Sequence, residues 1–243
     1  GGAGVGRGPR GGGAGGPPPA LTVTFFDFSF VKPALFLDGW GALAFTVISL
    51  VGLQNAVNMA DGKDGLALGM LLIWTGLIAL YAPAHMTPVL LLLALTLATA
   101  LWFNLRGQLF LGDSGAYSLA VLVGLLAVGT HDVRFTELPT DVVALWFLIP
   151  VVDCLRVMVR RIVAGRSPFA PDRQHLHHML ERLAPWRLGL PLYLSLIAGP
   201  ALLAVAAPQR ALLWGVLALS GYAALLGLSA RLPAAEARQP SRA

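Results

Sequence analysis

The chain has 243 residues, of which 56% are hydrophobic and only 12% are charged, about half the charged fraction of an ordinary soluble domain. Long uncharged apolar runs exclude a soluble globular core and predict a polytopic membrane protein. The net charge of +5 rests on fifteen arginines and two lysines that fall mainly between apolar segments, which indicates membrane topology and argues against nucleic acid as a partner. The single cysteine, Cys154, excludes a disulfide framework.

The chain begins with a low-complexity stretch of Gly, Pro and Arg, residues 1–20, which is expected to be a disordered tail. Residues 21–38 are expected to form an extracytoplasmic segment, 39–230 the transmembrane region, and 231–243 a cytoplasmic tail. Seven apolar segments in the transmembrane region are each about long enough to cross a hydrocarbon layer of about 30 Å as a helix. They cover roughly 39–57, 65–82, 87–103, 115–130, 141–159, 190–206 and 211–229.

The predicted fold class is therefore all-α: a polytopic transmembrane helical bundle of about seven helices, with a basic cytoplasmic loop before the last two. Pro83 and Pro88 favour a tight turn between the second and third segments. Pro150 is expected to kink or break the fifth. Most basic residues fall on one side of this topology, so the positive-inside rule places 55–64, 104–113 and 160–189 together on the cytoplasmic face.

The first of these polar stretches reads N-x-x-N-x-x-D-G-x-D-G and contains Asn55, Asn58, Asp61 and Asp64. A spacing of three keeps Asn55, Asn58 and Asp61 close together on a helix. A single polar residue of this kind could simply end a helix before a glycine-containing loop, without any functional role. Two amides and two carboxylates at a membrane surface favour a functional site, because ionisable groups at membrane depth are costly.

The second stretch places Asp113 in the sequence LGDSG, at the start of an apolar helix. A helix-capping role would explain this carboxylate without any catalytic function. The alternative is a hard-cation ligand, because Mg²⁺ typically takes one or two carboxylates together with substrate phosphates.

The third stretch, residues 160–180, contains Arg166, Arg173, His175, His177 and His178. Its arginines could serve topology alone. Three of the five histidines lie within four residues, so zinc is conceivable, but the neighbouring arginines would repel a cation and suit phosphate better. Together the three stretches indicate a diphosphate substrate with Mg²⁺, and the membrane setting suggests a lipid as the second substrate.

Three motifs in order, NAVNMADGKDGLA, FNLRGQLFLGDSG and PVVDCLRVMVRRIVAGRSPFAPDRQHLHH, resemble the polyprenyl-phosphate N-acetylhexosamine-1-phosphate transferases over roughly residues 40–230. The last motif is similar to the bacterial WecA-type branch, which transfers GlcNAc-1-phosphate to undecaprenyl phosphate. The resemblance implies that the lipid phosphate attacks the β-phosphorus of a UDP-N-acetylhexosamine, giving lipid-diphosphate-sugar and UMP and initiating cell-envelope polysaccharide synthesis. It also implies Mg²⁺ as cofactor, with Mn²⁺ as a second option, and the bacterial inner membrane as the location.

The resemblance also assigns residues by matched position. Asp113 would be the principal Mg²⁺ ligand, and Asp61 and Asp64 would complete the catalytic carboxylates. Asn58 and Asn104 would line the nucleotide and metal site. The basic loop would hold the sugar nucleotide through Arg166, Arg173, His175, His177 and His178.

One departure separates this sequence from the family pattern. The family carries an Asp-Asp motif in about four further upstream helices, and this sequence contains no adjacent Asp pair. The chain is therefore expected to correspond to the last seven helices of an eleven-helix enzyme, with residues 21–38 similar to the hairpin before the fifth. A separate or missing N-terminal half and a second copy of the chain are candidate partners. The alternatives are an inactive truncated fragment and, more remotely, a small ion-coupled transporter.

Overall fold

The computed structural model describes residues 21–37, 39–170 and 172–232. The predicted N-terminal tail and most of the predicted C-terminal tail lie outside this range. The described chain opens with a hairpin in which β1 (Phe25–Phe28) pairs antiparallel with β2 (Val31–Phe36). The turn of this hairpin is tied to a later helix, because the backbone N–H and the hydroxyl of Ser29 donate to the carboxylate of Asp141 at 2.9 and 2.5 Å.

Within the described ranges, eight helices follow the hairpin, and seven of them correspond to the predicted apolar segments. The short 3₁₀ turns Ala84–Met86 and Pro208–Arg210 precede two of the helices. The helices are α1 (Gly39–Ala60), α2 (Leu66–Tyr81), α3 (Thr87–Asn104), α4 (Gly112–Arg134), α5 (Thr140–Val163), α6 (Leu176–Leu183), α7 (Trp186–Ala206) and α8 (Ala211–Arg231).

The predicted all-α membrane bundle is confirmed, with the small hairpin as an addition. Six helical segments of the described chain are long and apolar enough to cross a membrane, whereas α2 is shorter, with 16 residues. Pro150 lies inside α5 without breaking it, so that expected break is wrong, although a kink stays untested. The short helix α6 was not predicted, because its eight residues are amphipathic and contain no long apolar run.

The core of the bundle forms around α2. Ten of its sixteen residues are buried, and it packs against α3, α4 and α7. Trp74 is fully buried, and its indole N–H donates to the backbone carbonyl of Trp146 in α5 at 2.8 Å. The outward face of α3 instead exposes Leu91, Leu92 and Leu95, as expected where a helix meets lipid rather than water.

The chain order of the helices brings several polar ends to one face. The C-terminal ends of α1, α3 and α5 and the N-terminal ends of α2 and α4 lie on the same side, since consecutive membrane helices alternate in direction. The helix α6 follows α5 on that side and packs against α7 and α8. The three polar stretches of the sequence therefore occupy one end of the bundle.

Candidate active site

A tight turn between α1 and α2 carries the first carboxylates, and we name residues 61–65 the acidic turn. Gly65 ends it with φ +83°, and a Cβ atom there would lie 2.6 Å from Leu105 and 2.7 Å from Leu190. The backbone N–H of Gly65 donates to the side-chain oxygen of Asn104 at 2.6 Å. Only glycine fits this close, left-handed position without strain, so the sequence fixes the turn tightly against α3.

The acidic turn meets the first turn of α4. The backbone N–H of Gly112 donates to Asp61 Oδ2 at 3.1 Å, and Asn58 Nδ2 donates to Asp113 Oδ1 at 2.8 Å. Asp61 is half-buried, whereas Asp113 is exposed. Burial raises the pKa of Asp61, as do the nearby charges of Asp113 and Asp64, against the hydrogen bond from Gly112. The two predicted carboxylates are thus adjacent, and each accepts a hydrogen bond from the opposite element.

Asp64 and Asn104 have different surroundings from these carboxylates. The side chain of Asp64 is exposed, and its backbone carbonyl accepts a hydrogen bond from Trp186 Nε1 at 2.8 Å. Asn104 is buried, and its amide nitrogen donates to the carbonyl of Leu109 at 2.8 Å. Because both ends of the Asn104 side chain bind backbone, it holds two loops together. Its predicted contact with a nucleotide therefore stays a prediction.

The histidine segment, residues 172–183, lies beside the acidic turn. The rings of His175 and His177 are parallel, with centroids 5.6 Å apart and planes 2° apart, and His178 lies 4.2 Å from His177. Lys63 of the acidic turn pairs with Glu181 of α6 at 2.5 Å. Glu181 also lies 3.8 Å from His178 Nδ1, so one carboxylate connects the turn with the histidines.

His177 is the most unusual of the three histidines. It is 1% exposed, and its Nε2 atom has no hydrogen-bond partner among the described residues. A Cβ atom at Gly62 would lie 3.4 Å from that nitrogen, so the ring faces the acidic turn. Burial, with smaller contributions from the neighbouring His178 and His175, lowers the pKa of His177 to about 3. His177 is therefore neutral at pH 7, and one ring nitrogen remains for a ligand.

The predicted arginines and histidines are only partly brought together. His175 and His177 are buried, whereas Arg166 and Arg173 are exposed on the loop before α6. That loop is held by Arg161, whose Nε donates to Asp172 at 2.8 Å. Burial alone would raise the pKa of Asp172, but hydrogen bonds from Arg161 and from the backbone of Gln174 outweigh it and lower the pKa. The sequence did not single out this ion pair.

The donor set at the acidic turn suits a hard cation completed by a substrate. Within the described ranges, no group of three or more His, Cys, Asp or Glu residues is arranged to hold a metal ion. However, Asp61 and Asp113 place carboxylates near each other, and the negative charges of Asp113 and Asp64 add to the burial that raises the pKa of Asp61. Mg²⁺ commonly takes one or two carboxylates plus phosphate oxygens, so the residues present fit such an ion.

Comparison with known proteins agrees with this geometry. The sequence profile described as glycosyl transferase family 4 matches residues 16–131. Residues 16–131 are therefore similar to glycosyl transferase family 4. Within the described chain, the family 4 match contains the hairpin, α1 to α3 and most of α4, and so includes Asn58, Asp61, Asp64, Asn104 and Asp113. The histidine segment lies beyond it.

Curated relatives carry more specific names. The chain is 31% identical over 167 residues to the "Probable undecaprenyl-phosphate N-acetylglucosaminyl 1-phosphate transferase" of Bacillus subtilis, covering 66% of this chain and 46% of that protein. It is 34% identical over 180 residues to the "Decaprenyl-phosphate N-acetylglucosaminephosphotransferase" of Mycobacterium leprae, covering 61% and 44%. The "Undecaprenyl-phosphate alpha-N-acetylglucosaminyl 1-phosphate transferase" of Escherichia coli K12 is 33% identical over 150 residues, covering 56% and 40%. The chain thus spans less than half the length of these relatives.

Sequence reasoning missed several residues that surround the histidine segment. Asp153, Arg156 and Arg161 of α5, Glu181 of α6 and Tyr222 of α8 all make polar contacts around the histidine segment. A signal for Asp153 and Arg156 was present, because two charges three residues apart inside an apolar helix require a buried partner. No local pattern marked Tyr222, because it lies in an apolar segment far along the chain.

Proposed function

We propose that this protein transfers N-acetylglucosamine 1-phosphate from UDP-N-acetylglucosamine to a polyprenyl phosphate, giving the lipid diphosphate sugar and UMP. The observation that supports this most directly is the joining of the acidic turn to the histidine segment through Lys63 and Glu181. This junction supports a site in which carboxylates suited to Mg²⁺ act together with the polar side chains of the histidine segment. The names of the curated relatives support the polyprenyl phosphate and the amino sugar.

The reaction needs positioning and charge neutralisation more than covalent chemistry from the protein. An oxygen of the lipid phosphate forms a bond to the β-phosphorus of the sugar nucleotide, and the bond between that phosphorus and the bridging oxygen of UMP breaks. In this proposal Asp113 and Asp61 hold Mg²⁺, with Mn²⁺ as a substitute. The bound ion supplies positive charge for the diphosphate oxygens.

The basic loop binds the other substrate in this proposal. The exposed guanidinium groups of Arg166 and Arg173 contact the diphosphate, and charge-assisted hydrogen bonds of this kind are the stronger ones in proteins. His177 is neutral and offers Nε2 as a donor or an acceptor to the nucleotide sugar. Asn58 keeps Asp113 in place through its hydrogen bond. Asp64 is exposed beside these groups and completes the carboxylate set.

We further propose that the site faces the cytoplasm from a bacterial inner membrane, because the basic residues cluster on that face. A lipid phosphate then enters from the bilayer, and the nucleotide sugar enters from the water. The placement of Asp61 and Asp113 at helix ends supports surface chemistry. An ion-coupled transporter would instead place carboxylates along the middle of its helices.

The test is a membrane assay with radiolabelled UDP-N-acetylglucosamine and undecaprenyl phosphate. Membranes that contain the chain are expected to convert the label into a solvent-extractable lipid, with release of UMP, and a chelator is expected to stop the conversion. UDP-N-acetylgalactosamine and UDP-glucose serve as competing sugars that define specificity. Membranes from the same host without the chain set the background. Labelled lipid at that background level, with both substrates and Mg²⁺ supplied, would refute the proposal.

A further inference from the structure

Two buried residues, Asp153 and Tyr222, and the partly buried Arg156 meet where α5 packs against α8. Asp153 is 3% exposed, and its carboxylate accepts hydrogen bonds from Arg156 Nη2 at 2.8 Å and from the Tyr222 hydroxyl at 2.8 Å. Arg156 Nε donates to the Tyr222 oxygen at 2.6 Å. The three side chains therefore form a closed network, in which each member contacts both of the others.

This network binds the start of the histidine segment. Asp153 accepts a hydrogen bond from His175 Nδ1 at 2.9 Å, and both of its oxygens lie within 3.2 Å of the backbone nitrogen of Leu176. Arg156 Nη2 also donates to the carbonyl of Gln174 at 2.5 Å. His175 is the residue at the N-terminus of α6, and its own side chain does not cap the helix. The cap is supplied by α5 instead, since a carboxylate there satisfies a free N–H group and the helix dipole.

A stable membrane helix pair does not need such a network. Burying charges costs free energy even when they are paired, and well-packed apolar residues often serve stability as well. A fully satisfied polar network instead specifies one arrangement of the groups that it binds. Here those groups are three consecutive residues, Gln174, His175 and Leu176, which precede or begin the helix that carries His177.

We propose that Asp153, Arg156 and Tyr222 are positioning residues, which fix His175 and the first turn of α6 and so hold His177 against the acidic turn. The ring of His175 packs parallel to that of His177, and His177 in turn lies close to Gly62. Fixing His175 therefore also fixes His177 relative to the acidic turn. The helix α8 thereby contributes to the placement of the histidine segment through Tyr222. The consequence for the nucleotide sugar rests on the function proposed above, whereas the placement of the segment does not.

The decisive variant is Tyr222→Phe, because it removes one hydroxyl and keeps the ring. Replacing Asp153 would leave the partly buried Arg156 without its charge partner and would compromise the fold, so it is not the variant to use. Tyr81→Phe is the matched control. It also removes one tyrosine hydroxyl, but at the far end of α2. At a rise of 1.5 Å per residue, that position lies about 24 Å along the helix from the acidic turn.

The first measurement is amide hydrogen exchange of the full chain in lipid nanodiscs, followed by mass spectrometry. Losing a hydrogen bond to a charged network is expected to speed exchange in peptides covering 172–183 by roughly fivefold or more in Tyr222→Phe. Peptides from α2 and α4 should exchange as in the unmodified chain, and Tyr81→Phe should leave 172–183 unchanged. Unchanged exchange in 172–183, or a uniform increase through all helices, would overturn the proposal.

The second measurement is the pair of Michaelis constants in the transfer assay. Tyr222→Phe is expected to raise KM for UDP-N-acetylglucosamine about fivefold and to leave KM for undecaprenyl phosphate within about twofold, because only the nucleotide-sugar side is displaced. An equal rise in KM for both substrates, or no change in either KM, would show that the network does not position the histidines for the reaction. If the unmodified chain gives no turnover, the proposed function fails, and the exchange result alone decides the positioning role.

Discussion

Lys63 and Glu181 are 118 positions apart in the chain, yet the Lys63 ammonium lies 2.5 Å from the Glu181 carboxylate. Their side chains are 26% and 36% exposed, so the pair contributes little stability, on the order of 0–1 kcal/mol. Its importance is geometric, because it joins the turn that carries Asp61 to the helix that carries His177 and His178. The contact of Trp186 with the Asp64 carbonyl reinforces the same junction.

Gly65→Ala is expected to destabilise the protein. The residue has φ +83°, and its new methyl group would contact Leu105 and Leu190 at 2.6–2.7 Å. A cost of at least about 1–3 kcal/mol is expected from backbone strain alone. Gly76→Ala is the control. A Cβ atom at Gly76, which lies within α2, would meet no atom other than its own helix backbone within 4 Å, and alanine in a helix is at least as stable as glycine. Thermal aggregation midpoints of the two variants in detergent measure the difference, and equal midpoints would contradict the strained turn.

Asp113→Asn is expected to abolish Mg²⁺-dependent transfer while preserving membrane insertion. The change keeps the size of the side chain and its ability to accept the hydrogen bond from Asn58, but it removes the negative charge that a divalent ion requires. Activity should be measured over a range of Mg²⁺ and Mn²⁺ concentrations, with insertion followed by membrane fractionation. An active variant would rule out the metal-ligand role and leave Asp113 as an acidic residue that favours the first turn of α4.

Much of this architecture could be predicted from the sequence, because lipid imposes a strong constraint on local composition. Each of the seven apolar runs became a helix, and the glycines after Asp61 marked the turn at Gly65. The helix α6 could not be predicted in the same way, because its capping group, Asp153, comes from another helix. The two hydrogen bonds that Asn104 makes with backbone groups likewise depend on the tertiary structure, so residue spacing in the sequence could not predict them.

The orientation of the bundle can be tested with thiol labelling. Ser167 and Gln209 are both exposed, and the positive-inside rule places them on opposite faces. In a Cys154→Ser background, Ser167→Cys is expected to react with an impermeant reagent only in inverted vesicles, and Gln209→Cys only in intact cells. The two variants serve as controls for each other. The reverse labelling pattern would overturn the cytoplasmic placement of the histidine segment.

His177 is expected to make stability depend on pH between about 3 and 6.5. Burial lowers its pKa to about 3 in the folded protein, whereas an unfolded histidine titrates near 6.5. In that window the unfolded chain binds a proton that the folded chain does not, so stability falls as pH falls. Aggregation midpoints from pH 4 to 8 should fall less steeply with acidification in His177→Gln than in the unmodified chain. Parallel profiles would show that His177 titrates normally.

Arg173→Ala tests the grip on the nucleotide sugar. Arg173 is exposed on the loop before α6, and one charge-assisted contact to phosphate is worth about 1.5–3 kcal/mol. Its removal should therefore weaken use of UDP-N-acetylglucosamine by roughly 10- to 150-fold, with a smaller effect on the lipid phosphate, which enters from the bilayer. Arg187→Ala is the matched control, because it removes the same charge from an exposed position at the start of α7. If both variants lose activity equally, the loop acts through topology or general charge, and if neither does, the arginine does not contact the diphosphate.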